Sequence, residues 1–134
     1  MNIAYALVQV MHNFGAVVVV GGPAAAWLRS SDNRSVPAAF AWLTIVGWAM
    51  QVTSGVGFGI TTYFSRGELP EIAGVALLAL YVKVGCALGG LLLAAYFLKA
   101  SAEGREHAHQ WIWPSLFFAG AVALSGAAFL RWFS

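Results

Sequence analysis

Two side chains whose types carry chemistry stand deep inside apolar runs: His12 in the first and Lys83 in the third. An imidazole at such a place can ligate a metal, relay a proton or bind its neighbours. An amine there needs an anionic or carbonyl partner, or stands neutral and able to ligate or relay protons. Tyr5, Gln9, His12 and Asn13 follow the spacing of one helical stripe, so that face must point inward. Gln51, with Ser54 one turn away, adds polar groups at a similar depth in the second run. Gly15, three residues after His12, leaves room beside the imidazole for a flat macrocycle. That combination is what a haem site needs, with Nε2 of His12 on the iron. No second deep histidine exists for a bis-histidine site.

The remaining reactive types are sparse. His107 and His109 offer half of a metal site at most. Cys86 lies alone in an apolar run, which excludes an intrachain disulfide or a thiolate metal centre. None of the five acidic residues falls within an apolar run, so Lys83 finds no carboxylate there.

The elements that position these residues are read from length and hydropathy. Of 134 residues, 60% are hydrophobic and 9% charged, with mean hydropathy +0.77; a soluble domain carries roughly 25% charged residues. Four segments reach the about 20 apolar residues that a bilayer crossing needs: 3–28, 38–64, 72–98 and 111–132. The expected fold is therefore all-α, an integral membrane four-helix bundle in a single domain spanning 1–134. Pro37, Pro70 and Pro114 fall near expected helix starts. By the roughly 1.5 Å rise per residue, His12 lies about 13 Å and Lys83 about 16 Å from the starts of helices that run in the same direction.

Arg29, Arg34, Lys99 and Arg105 flank the first and third loops, against Arg66 and Arg131 on the other side. The positive-inside rule then puts both termini on the non-cytoplasmic side. Trp27, Trp42, Trp111 and Trp113 are expected at the cytoplasmic boundary, with Tyr5, Tyr63 and Trp132 at the other. Glycines at 55 and 59, at 85 and 89, and at 120 have the spacing of close helix contacts. The first and third runs each carry one deep basic residue, but their flanking sequences do not match, so no internal repeat is read. The scattered basic residues form no stripe for nucleic acid.

Met11-His12-Asn13-Phe14-Gly15 with Gly21-Gly22, Gly47-Trp48 with Gly55, and Tyr81-Val82-Lys83-Val84 give the first three runs a resemblance to a group of small bacterial membrane proteins. It includes the copper-resistance protein D family and the HemJ-type protoporphyrinogen oxidases. The resemblance implies a bacterial cytoplasmic (inner) membrane, haem b at His12, and Lys83 as the second key residue. Where those oxidases carry an aromatic and arginine-containing stretch, this chain reads Val17-Val18-Val19-Val20-Gly21-Gly22-Pro23. The expected function is a haem b-binding redox protein performing electron transfer or porphyrin-related oxidation. Gln9, His12, Asn13, Gly15, Gln51 and Lys83 would surround the cofactor, and His12 would be the metal ligand. The alternatives are a metal-ion or small-solute transporter of the copper-resistance type and an accessory subunit of a larger membrane complex. Expected partners are the lipid bilayer, a redox partner, and a second copy or larger assembly.

Overall fold

A computed structural model describes residues 3–67 and 72–133. The described chain is all-α: α1 (Ile3–Ser31), α2 (Ala38–Arg66), α3 (Gly74–Ala102), a short 3-10 turn (Glu106–His109) and α4 (Ile112–Phe133). All four long helices are long and apolar enough to cross a membrane. The helices outrun the apolar segments because Arg29, Arg66 and Lys99 continue them into their final turns. Pro37 stands at the N-cap of α2 and Pro114 in the first turn of α4, where a missing N–H is cheap; Pro70 lies outside the described residues. Pro23 is inside α1, which continues through it.

Helix α1 packs on α2, α3 on α4, and the two hairpins close through α2 against α3 and α1 against α4. Buried alanines and glycines dominate the inner face of α3, including Ala76, Ala79, Ala87, Gly90 and Ala94. Small residues let backbones approach where dispersion does most of the work. At the end holding the two hairpin connections, Phe97, Ile112, Trp113 and Leu116 form a fully buried cluster with Ala26 and Ala41. Trp113 is 0% exposed and packs on Phe97 with ring centroids 4.6 Å apart. At that end of the bundle Trp113 is turned into the core, whereas Trp42, at 60% exposed, faces outward.

The glycine expectation also divides. A Cβ on Gly120 would meet the Val19 carbonyl oxygen at 2.7 Å, so that close approach needs glycine. Gly55, Gly59, Gly85 and Gly89 have nothing within 4 Å of where a Cβ would be, so their faces are open. Close packing falls on single glycines instead: Gly15 and Gly47 between α1 and α2, Gly90 against Trp48, and Gly120.

The two hairpins repeat one plan. Helices α1 and α3 begin and end at positions 71 residues apart, the separation of His12 and Lys83. The turns that follow match in the same register. Asn33 N–H donates to the Ser30 carbonyl and Gly104 N–H to that of Ser101; Arg34 N–H donates to Arg29 and Arg105 N–H to Ala100. Asn33 and Gly104 both take positive φ, 56° and 69°, the left-handed conformation that Asn and Gly adopt most readily. In the second helices the match lies one residue further along: buried Ala41, Thr44, Trp48, Gln51 and Ser54 of α2 answer buried Trp113, Leu116, Gly120, Ala123 and Gly126 of α4. Contacts between the hairpins obey the same correspondence, since Trp48 packs into Gly90 and Gly120 receives Val19. The bundle thus has a pseudo-two-fold axis along its length, a repeat that the flanking sequences do not reveal.

Candidate functional site

His12 and Lys83 occupy the same place in their hairpins, about 13 Å along α1 and α3 by the helical rise, and they meet across the diagonal of the bundle. The Lys83 Nζ lies 3.1 Å from His12 Nε2. On its other side the imidazole reaches α2, with Nδ1 2.7 Å from Ser54 Oγ. Ser54 is fully buried and its hydroxyl donates to the Met50 carbonyl at 2.5 Å. One hydroxyl carries one proton, so toward the ring Ser54 Oγ accepts. Nδ1 is then the protonated nitrogen, and Nε2 is left to accept from Lys83. The result is a directed chain: amine, imidazole, hydroxyl, backbone carbonyl.

Gln51 holds the chain from beside it. Its side chain, 6% exposed, donates from Nε2 to the His12 carbonyl at 2.5 Å, tying α1 to α2 at the level of the imidazole. Phe58 closes the site with its ring tilted edgewise on His12, centroids 5.3 Å apart, and Tyr5 packs on Phe58 at 5.1 Å. The local reason is helical spacing. Gln51, Ser54 and Phe58 lie three and four residues apart on one face of α2, and Gly47 and Gly15 let that face approach α1.

The expected stripe on α1 therefore divides. Gln9 donates to Asn13 Oδ1 at 2.8 Å, a bond along α1 itself and not to His12. Asn13 lines a groove of about 570 Å³ between α1 and α4 with Ala16, Val17, Val20, Gly21 and Leu124, a surface on which His12 has no place. Gly15 is buried, and a Cβ there would meet Gln51 Nε2 at 2.9 Å and Met50 Cβ at 3.1 Å. Its missing side chain serves helix packing.

These positions are a test of haem at His12. Both ring nitrogens are in hydrogen bonds to the protein, and the space expected beside Gly15 is filled by Gln51 and Met50. The groove of about 570 Å³ and a second one of about 330 Å³ between α3 and α4 have linings that include no histidine. The residues as arranged do not fit a haem iron on His12. Among the described residues no group of three His, Cys, Asp or Glu side chains is placed to hold a metal ion. His107 Nδ1 instead meets Gln110 Nε2 at 3.1 Å, and His109 lies edgewise on Tyr96.

Comparison with protein families, characterised proteins and solved structures returns no match. The site is therefore read from its own chemistry. Sequence reasoning placed Gln51 among the site residues and noted Ser54 beside it; the partnership of Ser54 with His12 and the lid made by Phe58 escaped it. The available signal was the i, i+3, i+7 spacing of those three residues.

Proposed function

We propose that this chain is an integral four-helix bundle of a bacterial cytoplasmic membrane whose His12–Lys83 pair is the acid–base centre of a membrane oxidoreductase. The observation that carries the reading is the directed chain Lys83–His12–Ser54, with contacts of 3.1 and 2.7 Å. His12 Nε2 can accept a proton from the Lys83 side and return it there, while Ser54 Oγ keeps accepting from Nδ1–H and steadies the imidazolium, the poised-base task for which imidazole is suited. Its depth supports this too, because ionisable groups inside a membrane are costly and are retained for function. The resemblance to HemJ-type oxidases gives the same two residues the key positions and points to a porphyrin-like substrate and a redox partner. The asymmetry of basic residues puts both termini on the non-cytoplasmic side.

Transport is the second reading, and one observation favours it. The pair sits at the interface of two matching halves whose pseudo-two-fold axis runs along the bundle, where carriers built from parallel repeats place their substrate.

The test is ring-¹⁵N magnetic resonance of the protein in lipid. His12 is expected as a neutral imidazole protonated on Nδ1, and Lys83→Met should move the Nε2 resonance far more than the Nδ1 resonance. An Nε2 resonance indifferent to Lys83→Met sinks the acid–base reading. A Soret band that shifts on dithionite reduction and is lost in His12→Ala would return iron to His12 in place of the proton chain.

A further inference from the structure

The bond along α1 leaves two amides half used. Gln9 Nε2 donates to Asn13 Oδ1, and among the described residues nothing accepts from Asn13 Nδ2 and nothing donates to Gln9 Oε1. A carboxamide has two N–H donors and an acceptor oxygen, which water would satisfy at an ordinary surface. Asn13 lies about 15 Å along α1 by the helical rise, near the middle of a bilayer. It is exposed on the outside of the bundle, where a membrane offers hydrocarbon, and an amide without a partner is costly there. His12, the next residue, has no share in this face, because it points across the bundle to α2 and α3.

Beside the amides the surface allows close approach. The groove of about 570 Å³ between α1 and α4 has Asn13, Gly21 and Leu124 in its lining. A Cβ on Gly21 would meet nothing within 4 Å, so no contact within the chain calls for glycine there, and inside a helix glycine is poorer than alanine. Small residues beside deep amides are what two helices need to meet within lipid.

We infer that this face is a homodimer interface, with α1 of one copy against α1 of a second. Two copies inserted with the same topology are related by an axis along the membrane normal, so each residue stands at the depth of its counterpart. About that axis the amides close into a ring. Gln9 donates to Asn13 within each copy, and Asn13 Nδ2 donates to Gln9 Oε1 of the other. The four-residue offset this requires is the one already bridged within the helix at 2.8 Å. One donor and one acceptor left on a single face are what a second copy of that face satisfies, whereas a carbonyl-bearing ligand would meet Asn13 and leave Gln9 Oε1 without a donor. The inference stands apart from the acid–base reading, since the His12–Lys83 pair stays inside each bundle.

The test is single-molecule photobleaching of the full chain, carrying one fluorophore at its C-terminus, in phosphatidylcholine vesicles over a range of protein densities. Two-step bleaching that gives way to one-step bleaching on dilution is expected. Asn13→Leu and Gly21→Ile should each raise the dissociation constant about tenfold, with helicity unchanged because both positions are exposed. Gly85→Leu, at an open glycine of α3, should leave it unchanged. In Val17→Cys, with Cys86→Ala removing the native thiol, oxidation should cross-link two copies, since Val17 is 70% exposed and one turn from Asn13. One-step bleaching at every density overturns the inference and gives the face to a different protein or to a carbonyl-bearing molecule. A dimer whose dissociation constant withstands either Asn13→Leu or Gly21→Ile, that Gly85→Leu disrupts, or that fails to cross-link in Val17→Cys overturns it as well.

Discussion

In the first hairpin Trp48 fills the space that Gly90 leaves on α3, and in the second Gly120 accepts the Val19 backbone of α1. The same contact is made twice about the axis, once by a large side chain against a glycine and once by a glycine against a backbone. Around the deep basic residues the difference is chemical. The α1–α2 hairpin surrounds His12 with an amide and a hydroxyl, while the α3–α4 hairpin offers Lys83 no side-chain polar group at the matching positions. One backbone plan therefore holds a fixed, fully bonded imidazole and a lysine whose second partner must come from across the axis or from outside. Equivalent geometry does not carry equivalent chemistry.

Substitution can break the steric half of that comparison. Gly120→Ala should destabilise the folded protein by about 1–3 kcal/mol, because the new methyl meets backbone and α1 must move from α4. Gly90→Ala should cost a similar or slightly smaller amount, since it meets the indole of a fully buried Trp48. Reversible unfolding in mixed detergent micelles measures both, and a neutral Gly120→Ala would mean that the interlock is one-sided.

The polar half is sharpened by a pair of serines. Ser54→Ala should cost about 1 kcal/mol and move the His12 Nδ1 resonance. Ser125→Ala should change stability by less than about 0.5 kcal/mol and leave His12 unmoved, because Ser125 is exposed and bonds only its own helix at Ala121. Equal effects would erase the distinction between the hairpins.

The smallest effect lies in the turns. Arg29 closes the first turn on the Ser35 carbonyl at 2.6 Å, whereas the second turn carries the Glu103–Arg105 ion pair. The hydrogen bond from Arg105, aided by its charge, holds the Glu103 carboxyl below its ordinary range. A depressed carboxyl stabilises above its unfolded titration range, and that contribution is lost as pH falls through the folded one. Glu103→Gln should slightly flatten the acid limb of melting temperature against pH; an unchanged limb would show that the exposed pair contributes nothing.

Much of this protein was legible in the chain itself. Hydropathy and length fixed four helices to within a few residues, because about 20 apolar residues have few other ways to satisfy their backbone in an apolar medium. Residue type and depth singled out His12, Lys83 and Gln51. What the imidazole does with its two nitrogens was not legible, because partners 42 and 71 residues away are chosen by which helix faces turn inward. Gly15 looked like room for a cofactor and is a helix contact; that Trp113 turns inward at its end of the bundle while Trp42 turns outward was equally hidden. The repeat was hidden for the same reason. Burial and backbone contact preserve it, while the one-residue slip between α2 and α4 removes it from any simple comparison of residues. Composition determines that such helices form and pack; only the packing decides which of their polar groups meet.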